Sequence, residues 1–429
     1  MKKLLIVMLF IMMVCLAGTV NAAETIRVLL YEQIPSYILM EHLSEFESTT
    51  GINVEYELLA EAQMEKKEML DFTAHSGTYD VTNVHFWYIP QFARTKYIEP
   101  LDEWIKSNSH PEWNTINDFV PPYLDAMKYD GKIYGLPFQG IVQILYYRKD
   151  LLDKYNLEIP KTMDDLMNVA RELTRDLDGD GRVDIYGYSD RGSADPASFM
   201  SPVGWIYAWG VNFLNEDMRP QLDTPQAIEA ITHYVTLLRE YGPPGQANIG
   251  WAEAEQAVLS GKVAMHADTH DLAPDMDDPE ISQVAGKIEF SMPPKQERYA
   301  QDFFVSGLSI NADSKHKEAA WLFVQWATST ELQQQIVETG KRSDYTSQSV
   351  LASDAFRETV RAADTILQAS KVADPAYFPR IPEFGQLADV FCSAVSTAIA
   401  KGPESVSTLM KEANQTITEI LAEAGYYQD

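Results

Sequence analysis

The sequence predicts an α/β protein of two lobes, each a mostly parallel sheet flanked by helices. Three observations lead there. The first ninety residues read strand, helix, strand, helix, strand, the order of a parallel sheet with helical crossovers. The same alternation returns after residue 130. No low-complexity linker separates the halves, so several ordered crossings rather than one flexible tether should join them.

Ile26–Tyr31 is a short apolar run and reads as the first strand. Ser36–Thr50 carries Ile38, Leu39, Leu43 and Phe46 at helical spacing, and Gly51 stops it. Asn53–Glu57 alternates like a strand, Ala62–His75 is helical, and Tyr79–Val84 is a third strand. Lys132–Tyr147 holds two extended pieces around Gly135 and Pro137, followed by a short helix over Asp150–Tyr155. Thr162 and Asp165 form a capping box ahead of Leu166, Val169, Ala170 and Leu173 on one helix face. Pro225–Tyr241 is helical until Pro243-Pro244-Gly245 breaks the chain. Lys315–Trp326 and Glu331–Thr339 form a helix pair, and Pro403–Ala424 is a long amphipathic helix.

Composition narrows the function. The 429 residues are 45% hydrophobic and carry a formal charge of −29. Such a surface repels phosphate backbones and anionic headgroups, which argues against nucleic acid partners and membrane-surface binding. Lys2 and Lys3 precede an apolar stretch, Leu4–Leu16, too short to span a bilayer comfortably, and Val20-Asn21-Ala22 offers a cleavage site. Residues 1–22 therefore read as a signal peptide, with export to the periplasm and no direct membrane insertion. Met13-Val14 before Cys15 argues against lipidation. Removing two lysines and no acid takes the mature charge from −29 to −31 and leaves Cys392 as its one cysteine, so the core must hold the fold without an internal disulfide.

Two motifs could hold metal. Asp176, Asp178, Asp180 and Asp184 occupy positions 1, 3, 5 and 9 of a calcium-type loop with Gly181 at position 6. Position 12, where a bidentate Glu would close the site, is Gly187. Structural calcium is one reading; a solvated acidic turn is the other. His266, Asp268 and His270 at i, i+2 and i+4 would share one face of a strand, a geometry open to zinc or to a hydrogen-bonded ligand.

No GxSxG, HExxH or phosphate-loop motif occurs, and no acidic pair stands out among 63 carboxylates, so no catalytic residue is nominated. Trp87, Trp205, Trp209 and Trp251, with Tyr31, Tyr207 and Phe304, fall in loop-like or strand-end segments. Their faces suit the C–H faces of a sugar or polyol, and each suits core packing as well.

Several runs carry a resemblance. Ile133-Tyr134-Gly135-Leu136-Pro137-Phe138, Leu145-Tyr146-Tyr147-Arg148-Lys149-Asp150-Leu151-Leu152 and Pro160–Leu166 resemble a stretch shared by solute-binding proteins of carbohydrate ABC importers. Gly261–Met265 resembles a second landmark. Tyr241–Gly245 and Arg380-Ile381-Pro382-Glu383-Phe384 are similar to the branch serving sugar alcohols and related monosaccharides.

The resemblance implies a two-lobed periplasmic-binding-protein architecture, monomeric, that closes by hinge bending on a neutral sugar or polyol. The closed form docks on a membrane permease, catalyses nothing and needs no cofactor. Residues 23–129 and 309–340 would form the first lobe, and 130–304 with 341–429 the second. The ligand-binding residues it implies are Tyr31, Glu32, His85, Trp87, Gln139, Gln143, Trp205, Trp251, Asp268, His270 and Phe304. Ile141 and the run Lys341–Gln348 depart from the family pattern near the ligand. The rival readings are an exported carbohydrate-active enzyme and a metal-binding receptor using His266, Asp268 and His270.

Overall fold

The computed structural model describes residues 24–300 and 303–427. The signal-peptide reading, including Cys15, lies outside them. Ten strands are present among the described residues: β1 (Thr25–Tyr31), β2 (Asn53–Leu59), β3 (Val81–His85), β4 (Lys128–Tyr129), β5 (Lys132–Ile133), β6 (Leu136–Arg148), β7 (Tyr186–Ser189), β8 (Val263–Thr269), β9 (Ile288–Ser291) and β10 (Phe303–Ile310). Eight of them form one sheet in the order β2-β1-β3-β10-β6-β8-β7, with β9 on β6; β4 and β5 form a small hairpin.

The sheet is mixed rather than mostly parallel. β1 pairs in parallel with β2 and β3, and β7 with β8. β10 and β6 introduce the antiparallel pairings, because these strands carry the chain between the lobes. β6 is thirteen buried residues long. Leu136–Val142 pairs with β10 on the first-lobe side, while Gln143–Tyr147 pairs with β8 in the second. The first lobe therefore takes in the start of β6 and β10, beyond its expected limits. It also keeps the segment after Gly340: Val120 N–H donates to the Thr346 carbonyl (2.9 Å), and Gly140 N–H to that of Asp344 (3.2 Å).

Local chemistry explains most elements. Thr162 Oγ1 accepts from Asp165 N–H, and the Asp165 carboxylate accepts from Thr162 N–H, both at 3.0 Å. The helix Met163–Leu173 that follows buries Leu166, Val169, Ala170 and Leu173. Each leucine or valine buried there contributes about 1.5–3 kcal/mol. The expected helix over Ser36–Thr50 is two helices, Ile34–Glu41 and Leu43–Thr50, offset at His42. Several helices were not expected, among them Ala363–Val372, which packs on β6, and Phe384–Lys401, which packs on the last helix, Val406–Glu423. Cys392 lies buried on the former partner of that pair, its thiol pushed up by burial.

Candidate ligand-binding cleft

The carboxyl ends of β1, β3, β7 and β8 open onto one cavity of about 760 Å³ between the lobes. Ligands of open α/β sheets bind outside such strand ends. β1 delivers Tyr31 and, just past it, Glu32 and Gln33. The helix Glu61–Ala74 presents Glu61 and Glu65 from its first turns, and β3 ends in His85, with Trp87 and Tyr88 following. β6 and β10 add Gln139, Ile141 and Phe304. From the second lobe come Arg191, Asp195, Met200, Trp251, Thr269 and Asp271, with Phe378, Phe384 and Asp389 from the C-terminal region.

One wall is aromatic. The Tyr31 and His85 rings stack at 4.2 Å and 19°. Trp87 meets His85 edge-on at 4.7 Å and stacks on Phe378 at 5.8 Å and 21°, so rings from both lobes touch across the cleft. Trp251 opens the helix Trp251–Leu259 at the rim and is 51% exposed.

The rest is acidic. Six carboxylates line the cavity: Glu32, Glu61, Glu65, Asp195, Asp271 and Asp389. Glu61 is open to water inside the cleft, yet the surrounding protein atoms withdraw much of its solvation. That desolvation, with Glu65 and Asp195 nearby, pushes its carboxyl up to about 7. Burial likewise raises Asp271 to about 6. Burial lowers His85 to about 3, so its imidazole is neutral at physiological pH. Arg191 is the only lysine or arginine lining the cavity among the described residues.

Of the residues implied by the resemblance, Tyr31, Glu32, His85, Trp87, Gln139, Trp251 and Phe304 line this cavity. Four do not. Gln143 lies past the lobe crossing on β6, buried, its amide donating to the Ala267 carbonyl at 3.4 Å. Trp205 is buried in the helix Met200–Ala208, stacked on Trp209 at 5.7 Å and packed on Tyr234. Asp268 and Thr269 point to opposite faces of β8, and it is Thr269 that lines the cleft. His270 sits in a short 3-10 turn beyond the strand, its Nδ1 accepting from Val142 N–H (3.1 Å) and its Nε2 donating to the Ser343 carbonyl (3.1 Å). His266 and Asp268 share a face as expected, with Nε2 and Oδ2 3.3 Å apart, but His270 has left it, so the three form no metal cluster.

Glu61, Glu65, Tyr88, Arg191, Asp195, Asp271, Phe378 and Asp389 were not anticipated. Glu61 and Glu65 had a usable signal: they stand i, i+4 at the start of the helix after β2, on the strand-end side of the sheet. Phe384 closes the Arg380–Phe384 run already singled out. The others belong to no pattern and are gathered only by folding.

A ligand-enclosing cavity at strand ends between two lobes, spanned by β6 and β10, defines a two-lobed periplasmic-type binding protein. The family model "Bacterial extracellular solute-binding protein" matches residues 32–334, and the chain belongs to that family. The mannitol-binding protein of Pseudomonas aeruginosa is 26% identical over 416 residues, covering 91% of each chain. The erythritol/L-threitol-binding protein of Mycolicibacterium smegmatis is 25% identical, covering 77% of this chain and 73% of the relative. The crystal structure of an ABC transporter solute-binding protein from Agrobacterium vitis S4 with bound D-mannitol superposes with a TM-score of 0.80 at 25% identity, covering 95% of this chain and all of that one.

Proposed function

We propose that this chain captures a sugar alcohol or monosaccharide in the interlobe cleft and presents it to the permease of an ABC importer. The observation that carries this is the pairing of an aromatic wall with six carboxylates in one cavity. Ring faces accept the C–H side of a polyol, and carboxylate oxygens accept its hydroxyl protons. A volume near 760 Å³ falls in the usual range for small-ligand sites and admits a six-carbon ligand with room for water. The relatives named for mannitol and erythritol support the same class. Closure around the ligand turns occupancy into a shape that a membrane partner reads.

On this reading the chain acts as a monomer in the periplasm after loss of residues 1–22, and it turns nothing over. A thermal-shift screen of sugars, polyols, amino acids and peptides tests it. A ligand at a hundred times its dissociation constant stabilises the fold by about 2.7 kcal/mol. A polyol or monosaccharide should raise the melting temperature and amino acids should not; hydrolysis of a glycoside would favour the enzyme reading instead.

The loop at Asp176–Asp184 is a second proposed site, for structural calcium. Oxygens of Asp176, Asp178 and Asp184 approach within 4.8 Å of one another, while Asp180 caps Arg182 N–H at 2.8 Å. Position 12 cannot supply a carboxylate: any Cβ on Gly187 would collide with the Ala170 backbone. Binding should therefore be weak, and added calcium should raise the melting temperature slightly without altering ligand affinity.

A further inference from the structure

We propose that Glu61, Glu65 and His85 form a divalent-cation site of the zinc class on the floor of the cleft, with its open coordination positions facing the ligand. The proposal rests on reading the cavity as the ligand site and specifies how that site engages hydroxyls.

The sequence places the donors. Glu61 and Glu65 are i and i+4 on one helix, so they share a face, where like charges repel. Across from them, His85 ends β3 with a side chain only 5% exposed. Tyr31 stacks on its ring, and the edges of Trp87 and Phe304 close on it at 4.7 and 4.9 Å. The imidazole is therefore held in one orientation, with Nδ1 3.4 Å from Glu61 Oε1. Nδ1 is buried and has no hydrogen-bond partner among the described residues. An orphaned buried ring nitrogen is costly. Here it is turned toward the Glu61 carboxylate, which pairs with no lysine or arginine among the described residues.

One ligand atom from each of the three residues lies within 4.8 Å of the others. One imidazole nitrogen with two carboxylate oxygens is a donor set for zinc and neighbouring divalent metals, at bond lengths of about 2.0–2.2 Å. The glutamates must close in to reach those lengths. Glu61 has room to do so, being 62% exposed, while His85 stays fixed. Three protein ligands leave one or two positions toward the cavity, where hydroxyl oxygens of a bound polyol would complete the sphere.

The test uses the exported chain stripped with chelator and titrated calorimetrically with Zn²⁺ alone. Asp176→Asn/Asp178→Asn silences the other acidic cluster. One equivalent should bind, and Glu61→Gln/Glu65→Gln should weaken it at least a hundredfold without lowering the metal-free melting temperature, since the two carboxyls are raised in the folded protein. Zn²⁺ should also raise polyol affinity tenfold or more in the parent and not in the double glutamine variant. Equal Zn²⁺ binding in both proteins, or none in either, overturns the site. Polyol binding that ignores chelator and metal overturns it too, while leaving the proposed function standing. Zn²⁺ binding lost with the glutamates, in a protein that binds no polyol, supports the site and removes the polyol reading. Preference for a protonated amino sugar, with no Zn²⁺ binding, would show that the ligand brings the positive charge, and overturns the metal.

Discussion

Arg191 grips Asp268 with two parallel hydrogen bonds, one of them Nε to Oδ2 at 2.9 Å, so the cleft's one arginine is anchored by a carboxylate that never sees the cleft. Burial alone would raise the Asp268 carboxyl. The Arg191 guanidinium and His266 reverse that and hold it well below the usual carboxylate range. Asp268 is a positioning residue: it fixes the guanidinium, whose Nη1 also donates to the Ala197 carbonyl at 3.1 Å.

Asp268→Ala should therefore destabilise the fold as well as weaken binding. Removing one partner of a buried ion pair costs about 3–5 kcal/mol, because the other charge is left uncompensated. The pair's contribution is fully present above the unfolded carboxyl pKa of about 4 and is lost only as pH falls toward the depressed folded value. Denaturant titration at pH 7 checks the first statement, and repetition down to pH 2 the second.

Trp251→Ala should separate binding from stability. The ring is half exposed at the rim, so affinity should fall about tenfold with an unchanged denaturation midpoint. Trp87→Ala should lose at least as much affinity and lower the midpoint too, since its ring also packs on Phe86, Phe304 and Phe378. Calorimetry and urea melts on both variants give the contrast.

Glu68 lies behind the cleft, fully buried, with the Thr82 hydroxyl donating to it at 2.5 Å. Desolvation, with Glu65 and Asp71 adding to it, pushes its carboxyl up to about 8. Between about pH 4.5 and 8 the folded protein keeps a proton that the unfolded chain has released, so this group lowers stability as pH rises. Glu68→Gln keeps the hydrogen bond without the titration. It should be more stable than the parent by about 1–3 kcal/mol at pH 8, with the difference closing toward pH 5. Melts across that range decide it.

The sequence carried the fold where local rules are strong. The capping box at Thr162, the helix Pro225–Tyr241 and the first three strands follow from periodicity and caps. β6 was harder to see whole. A strand buried along its length on both faces has no alternation, so its run across both lobes looked like two pieces. The cavity lining was legible from the first lobe, where Tyr31 and His85 end strands and Trp87 follows one. It was misread in the second, where Asp268 and Trp205 sit near the cleft in sequence but face the core. Which face a residue takes on β8 depends on register with β6 and β7, which no local pattern announces.

Whether the cleft takes a polyol or simple sugar is decided by calorimetric titration of D-mannitol, ribitol and erythritol into the exported chain, run with and without Zn²⁺ and repeated on Trp251→Ala. At least one of these, or a related monosaccharide, should bind one-to-one and saturably, about tenfold more weakly in the variant. Binding of amino acids or peptides with no response to any polyol or sugar would contradict it.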